Sequence, residues 1–241
     1  MRDLNRKKLS ADLHYSIAHR PRVTRRMHME LDENGELVVV VPPHWPRAFV
    51  HKTLVNNLQK VERFLSSTRN HAVKPLLYSP GETHLYLGEH YPLVISGASA
   101  KKSSVTLMGG EIHMLAASRD REDLKRHLQN WYGKQASSLF HGRLLEVSRS
   151  APWVGKRQLS LKLRRMKRTW GNCSSRGVIK LNTHLVKAPV RLIDSVIAHE
   201  LCHLEEMNHG RAFYALLERL NPEWRKDRAE LRANGPAYLL T

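Results

Sequence analysis

Apolar positions in the first third of this 241-residue chain recur at two spacings. Leu13, Tyr15 and Ile17 alternate with polar residues, and Met27, Met29 and Leu31 do so again, which is the period of a half-buried strand. Asp32-Glu33-Asn34-Gly35 supplies a tight turn, and Glu36 to Val41 returns as the second arm of a hairpin that Pro42-Pro43 ends. Ala48, Val50, Leu54, Leu58, Val61 and Leu65 then fall at helical spacing and predict one helix.

A turn at Pro80-Gly81 opens a second β region. Leu85 to Leu87, Tyr91 to Ile95 and Val105 to Met108 read as strands, with Gly109-Gly110 as a hairpin turn before Glu111 to Leu115. A long amphipathic helix follows, with Leu124, Leu128, Trp131, Leu139, Phe140 and Leu144 on one stripe. Gln158 to Lys167 and Val178 to Asn182 read as two more strands, separated by Gly171 and Gly177. The remainder is helical: Pro189 to about Met207, Arg211 to Leu220, and Pro222 to Ala233. The fold class is therefore α+β. A β-rich region with one helix is expected over 1–118 and a metal-binding catalytic region over 119–241, as two parts or one compact unit.

Composition narrows the setting. The longest apolar run, Leu37 to Val41, is far short of the roughly 20 residues that cross a bilayer. The N-terminus is charged without a following apolar region, so no signal peptide is read. Two cysteines, Cys173 and Cys202, are too few for a disulfide framework, which points to a cytoplasmic protein with reduced thiols. A net charge of +18 attracts polyanions, so nucleic acid is a candidate partner, and a generally basic, solubilising surface is the plainer account.

The chemistry concentrates in the stretch from Val196 to His209 (VIAHELCHLEEMNH). On a helix, His199 and His203 lie one turn apart and can aim one imidazole nitrogen each at a single ion. Glu200 projects beside that ion without binding it, the position wanted for taking a proton from water. His209, six residues after His203, offers a third ligand, and Asn208 before it can take the left-handed conformation that ends a helix. Three protein ligands suit catalytic zinc, which keeps one position open, better than structural zinc, which is closed by four. The alternative is a pair of core histidines bonded to backbone carbonyls.

At these residues the chain resembles the YgjP-like metallopeptidase family, a zincin group related to the SprT-like and WLM metalloproteases. Met166 to Ser175 (MKRTWGNCSS), Val178 to Pro189 (VIKLNTHLVKAP) and Ile193 to Phe213 follow that family's pattern in order and spacing. The hairpin ending in Val-Pro-Pro and Gly81 to Val94 (GETHLYLGEHYPLV) look like its earlier blocks. The resemblance implies zinc on His199, His203 and His209, Glu200 as the catalytic residue, and a zincin-like C-terminal part with a short sheet. Thr169 and Asn172 depart from the family's usual Arg and Ser. Glu206 stands where metzincins have their turn glycine, so the shared histidine spacing does not make this a metzincin.

Around that centre several roles stay open. Trp170 to Cys173 is either a wall of the cleft, with Val178 to Asn182 as an edge strand that pairs with an extended peptide, or a glycine-permitted turn with Trp170 packed in the core. Cys173 is an alternative metal ligand of the deformylase type, whereas Cys202 is a small buried side chain. His184, Arg211 and Tyr214 are candidates for a donor to the tetrahedral intermediate, and Asp194 and Glu206 for partners of ligating histidines. The function expected is a zinc-dependent metallopeptidase acting on peptide or protein substrates through metal-activated water. The alternatives are a metal-dependent hydrolase of non-peptide amides, and a nucleic-acid-binding protein (or DNA-associated protease) with structural zinc.

Overall fold

The structure, a computed structural model, describes residues 7–10, 13–21, 23, 26–32, 36–69, 76–97 and 102–240. The chain divides into two compact units, Met1–Ala72 and Val73–Thr241. The division expected after residue 118 thus moves to Ala72. Leu93, Ile112 and Met114 of the second β region share one buried core with Leu128, Trp131 and Tyr132 of the long helix, so the two cannot be separate parts.

The first unit is a four-stranded sheet with two helices. Strands β1 (Lys7–Ser10), β2 (Leu13–His19), β3 (His28–Leu31) and β4 (Leu37–Val41) lie in the order β1-β2-β4-β3. The hairpin forms as expected, with Leu31 opposite Leu37, and its tip, Glu33-Asn34-Gly35, lies outside the described residues. Parallel to β2, β4 buries Leu37, Val39 and Val41 with Tyr15, Val50, Leu54, Val61 and Leu65. The single helix expected here is two, α1 (Arg47–Val55) and α2 (Leu58–Arg69). Asn56-Asn57 separates them: the Asn57 amide side chain bonds back to the Thr53 carbonyl, a local alternative to the helical ladder.

In the second unit β5 (Thr83–Tyr86), β6 (Glu89–Ser96), β7 (Ser104–Met108) and β8 (Glu111–Leu115) form a sheet in the order β5-β6-β8-β7. The two-residue turn between β7 and β8 needs positive φ at both positions, and Gly109 and Gly110 take +59° and +80°. Helix α3 (Arg121–Arg149) packs on this sheet and starts where the Asp120 carboxylate accepts the backbone N–H groups of Glu122 and Asp123. A three-stranded sheet follows, with β9 (Ser160–Arg164), β10 (Gly171–Cys173) and β11 (Val178–Asn182) ordered β10-β11-β9. Helices α4 (Val190–Cys202), α5 (Arg211–Leu220) and α6 (Trp224–Leu239) complete the unit. The molecule is α+β, with a long middle helix. Among the described residues no helix is long and apolar enough to cross a membrane.

Two differences bear on function. Val178 to Asn182 is not an edge strand: β11 is central, antiparallel to β10 and parallel to β9. The edges are β9 and β10, the latter in a segment whose glycine and polar residues carry no strand pattern. Helix α4 stops at Cys202, short of Met207, and Asn208 has no positive φ. The chain leaves the helix at His203, whose φ and ψ are still near helical, through turns in which the Glu205 and Glu206 N–H groups donate to the Cys202 carbonyl.

Candidate metal centre

Helix α4 is apolar nearly all round. Leu192, Ile193, Ile197, Leu201 and Cys202 are fully covered, so its position is fixed by packing on every side. Its start is seated by the turn between β5 and β6: the Leu87 and Gly88 N–H groups donate to the carbonyls of Val186 and Lys187. Gly88 lies against the ring of Pro189, where a Cβ would come within 2.7 Å of Cγ. The other end is held by side-chain donors, Trp153 Nε1 to the Leu201 carbonyl and Arg157 to that of Leu204.

On that helix His199 faces a cleft, and His203 stands at the helix end. The chain then returns so that one ligand atom each of His199, His203 and His209 lie within 4.8 Å of one another. The Nε2 atoms of His199 and His209 are 3.0 Å apart. Phe213, fully buried in α5, packs under all three rings, with centroids 4.9, 4.7 and 4.7 Å away from those of His199, His203 and His209. His203 Nδ1 lies 3.1 Å from the Glu206 carbonyl, so it carries the proton there and leaves Nε2 with a free lone pair. Burial, then the neighbouring imidazoles and Arg228, pushes His199 down to about 4; His209 is lowered by burial, His203 and Arg228. Neutral imidazoles with converging lone pairs are what a divalent ion requires.

Glu200, one residue on, turns into the same cleft and is nearly covered. Burial pushes its carboxyl up to about 8. Its Oε2 is buried without a hydrogen-bond partner, an expensive state for a polar atom unless a ligand or reactant completes it. The other face of the carboxylate rests on β10. A Cβ on Gly171 would lie 2.6 Å from Oε1, so the edge strand can run this close only with glycine there. The donor set and the unpartnered acid fit a metal ion with a proton-transferring carboxylate beside it.

The cleft has a volume of about 520 Å³ and runs between the Arg168–Gly171 segment, α4 and α6. Trp170, Tyr214, Trp224 and Leu231 give it apolar walls. Of the three suggested donors, Tyr214 is here, its ring 6.4 Å from that of His209. His184 is buried around a different cavity, with Tyr78, His84 and Lys187, and Arg211 does not line the cleft. Asp194 holds α4 to α3 through a two-pronged pair with Arg143, at 2.7 and 2.6 Å, and Glu206 serves His203 through its backbone carbonyl. Cys173 is outside the histidine group, its thiol directed at the Ser174 carbonyl, and Cys202 is fully buried. Sequence reasoning missed Trp224, Arg228 and Arg232. Their four-residue spacing on α6 was visible, but not what that face meets.

The YgjP-like, metallopeptidase domain family matches residues 25–234. No curated protein matches the chain. Among solved structures, the metallopeptidase zymogen abylysin of Pyrococcus abyssi aligns over 40% of this chain and 94% of its own, at 18% identity and a TM-score of 0.37.

Proposed function

This chain belongs to the YgjP-like metallopeptidase family, and on that premise we propose that it is a zinc peptidase in which His199, His203 and His209 hold the ion and Glu200 is the general base. The observation that carries the reading is one juxtaposition: three imidazole nitrogens within 4.8 Å of one another, and beside them a buried carboxylate oxygen with no partner. A zinc ion there would polarise the scissile carbonyl and make water a stronger acid.

The protein's own groups do the rest. Glu200 accepts a proton from the attacking water as the new C–O bond forms, then delivers it to the departing nitrogen as the C–N bond breaks. A carboxyl whose affinity for protons is raised by burial is suited to both directions of transfer. In this reading Tyr214, on the cleft wall near His209, is the donor to the oxygen that gains negative charge. At one edge of its sheet, β10 pairs on one side only among the described residues, and its other side would align an extended peptide past Glu200.

Structural zinc is normally closed by four protein ligands, and three gather here among the described residues, beside an open cleft. That favours an enzyme over a nucleic-acid-binding protein with structural zinc. The two free cysteines suit a reducing compartment such as the cytoplasm. Glu200→Gln is the decisive variant: it is expected to keep about one zinc per chain while peptide cleavage falls by about 10²- to 10⁴-fold. Unchanged turnover would remove Glu200 from catalysis.

A further inference from the structure

The +18 charge is not spread evenly around the cleft. Arg168 enters from the segment before β10, and Arg228 and Arg232 enter from α6, where a spacing of four residues puts both on one face. All three are exposed, and none has a hydrogen bond or ion pair among the described residues. Neighbouring arginines are engaged. Arg191 binds both acids of α6, Asp227 and Glu230, and Arg225 binds Glu218. Among the described residues, Glu200 is the only acidic side chain that lines the cleft. The acids that could have neutralised it are thus tied up elsewhere, and three cations are left facing an apolar-walled groove of about 520 Å³.

We propose that this cleft recognises acidic peptide segments, with Arg168, Arg228 and Arg232 receiving carboxylates on either side of the bond to be cut. The inference rests on the peptidase reading above and adds the substrate class. Guanidinium groups suit carboxylates because their paired N–H donors match both oxygens. The groove has room for a few side chains, which favours a peptide strand over a nucleic-acid duplex.

The test is binding of a fluorescent peptide with a central Glu-Glu, against its Gln-Gln twin, to the zinc-loaded Glu200→Gln protein. The acidic peptide is expected to bind at least about tenfold tighter at about 0.1 M salt. Arg168→Gln, Arg228→Gln and Arg232→Gln together should erase most of that preference, and Arg228→Gln alone should reduce it. Arg176→Gln, Arg219→Gln and Lys226→Gln remove the same charge from exposed positions outside the cleft and should preserve it. Equal affinity for the two peptides would overturn the inference. So would a control triple that loses as much as the cleft triple, or a single-stranded oligonucleotide that displaces the peptide better than unlabelled peptide does. If the acidic peptide binds preferentially yet the unaltered protein never cuts it, recognition stands and the peptidase reading falls.

Discussion

Gly171 and Glu200 share one small volume: a Cβ on the glycine would lie 2.6 Å from Oε1 of the glutamate and 2.8 Å from its Cγ. The two residues come from different elements, β10 and α4. What the glycine contributes is absence, since the carboxylate occupies the space a side chain would take.

Gly171→Ala is therefore expected to displace the Glu200 carboxylate while leaving the three histidines, which the new methyl does not meet. A shift of this size costs on the order of 10²-fold in turnover when it moves a reacting group. Metal content measured beside peptide cleavage should show zinc retained and activity lost. Parallel loss of both would mean that β10 itself has moved.

Phe213 is the common floor of the three imidazoles. Its replacement by Ala should cost about 3–5 kcal/mol in denaturant unfolding, as other buried Phe truncations do. Because the rings lose their shared support, zinc should also bind about tenfold or more weakly in chelator competition. Phe213→Leu is expected to recover most of the stability and only part of the affinity.

Asp194 separates two roles that are easily confused. Its carboxylate meets Arg143 of α3 and none of the three clustered histidines, and the pair is partly exposed. Asp194→Asn should then lower stability by only about 1 kcal/mol and leave zinc affinity as it was. A loss of zinc would show that the α3–α4 contact governs the site at a distance.

Acid should destabilise the second unit through histidines remote from the cleft. Burial pushes His84 and His184 down to about 4 in the folded chain, against about 6.5 when unfolded. Between those values the unfolded chain binds protons that the fold refuses, so stability rises with pH across that window and is lost as pH falls through it. The Glu82 carboxylate, 3.3 Å from His84, opposes the effect without cancelling burial. Urea unfolding at about pH 4.5 should show a deficit of about 1–3 kcal/mol per histidine relative to pH 7, and His84→Gln should flatten the slope.

Much of the site was legible because helical geometry is local. About 100° per residue places His199 and His203 one turn apart whatever surrounds them, and the apolar residues around them state that the helix is buried. The hairpins were equally readable, since Gly109-Gly110 supplies positive φ from the residues themselves. Where local chemistry was misjudged, the errors are instructive. Asn57 was passed over as a helix interruption, and Asn208 was credited with a backbone conformation that it does not adopt.

The sequence by itself determined the α+β alternation, the spacing of three histidines around one acid, and an excess of positive charge. Tertiary structure decided that β11 lies inside its sheet and β10 at an edge, that the second β region shares a core with α3, and that α6 brings Arg228 and Arg232 to the cleft that Glu200 lines. The reason is range. A helix repeats through hydrogen bonds four residues apart, so its faces can be counted along the chain. Strand order and the lining of a cleft arise from residues tens of positions apart, chosen by which buried surfaces fit together.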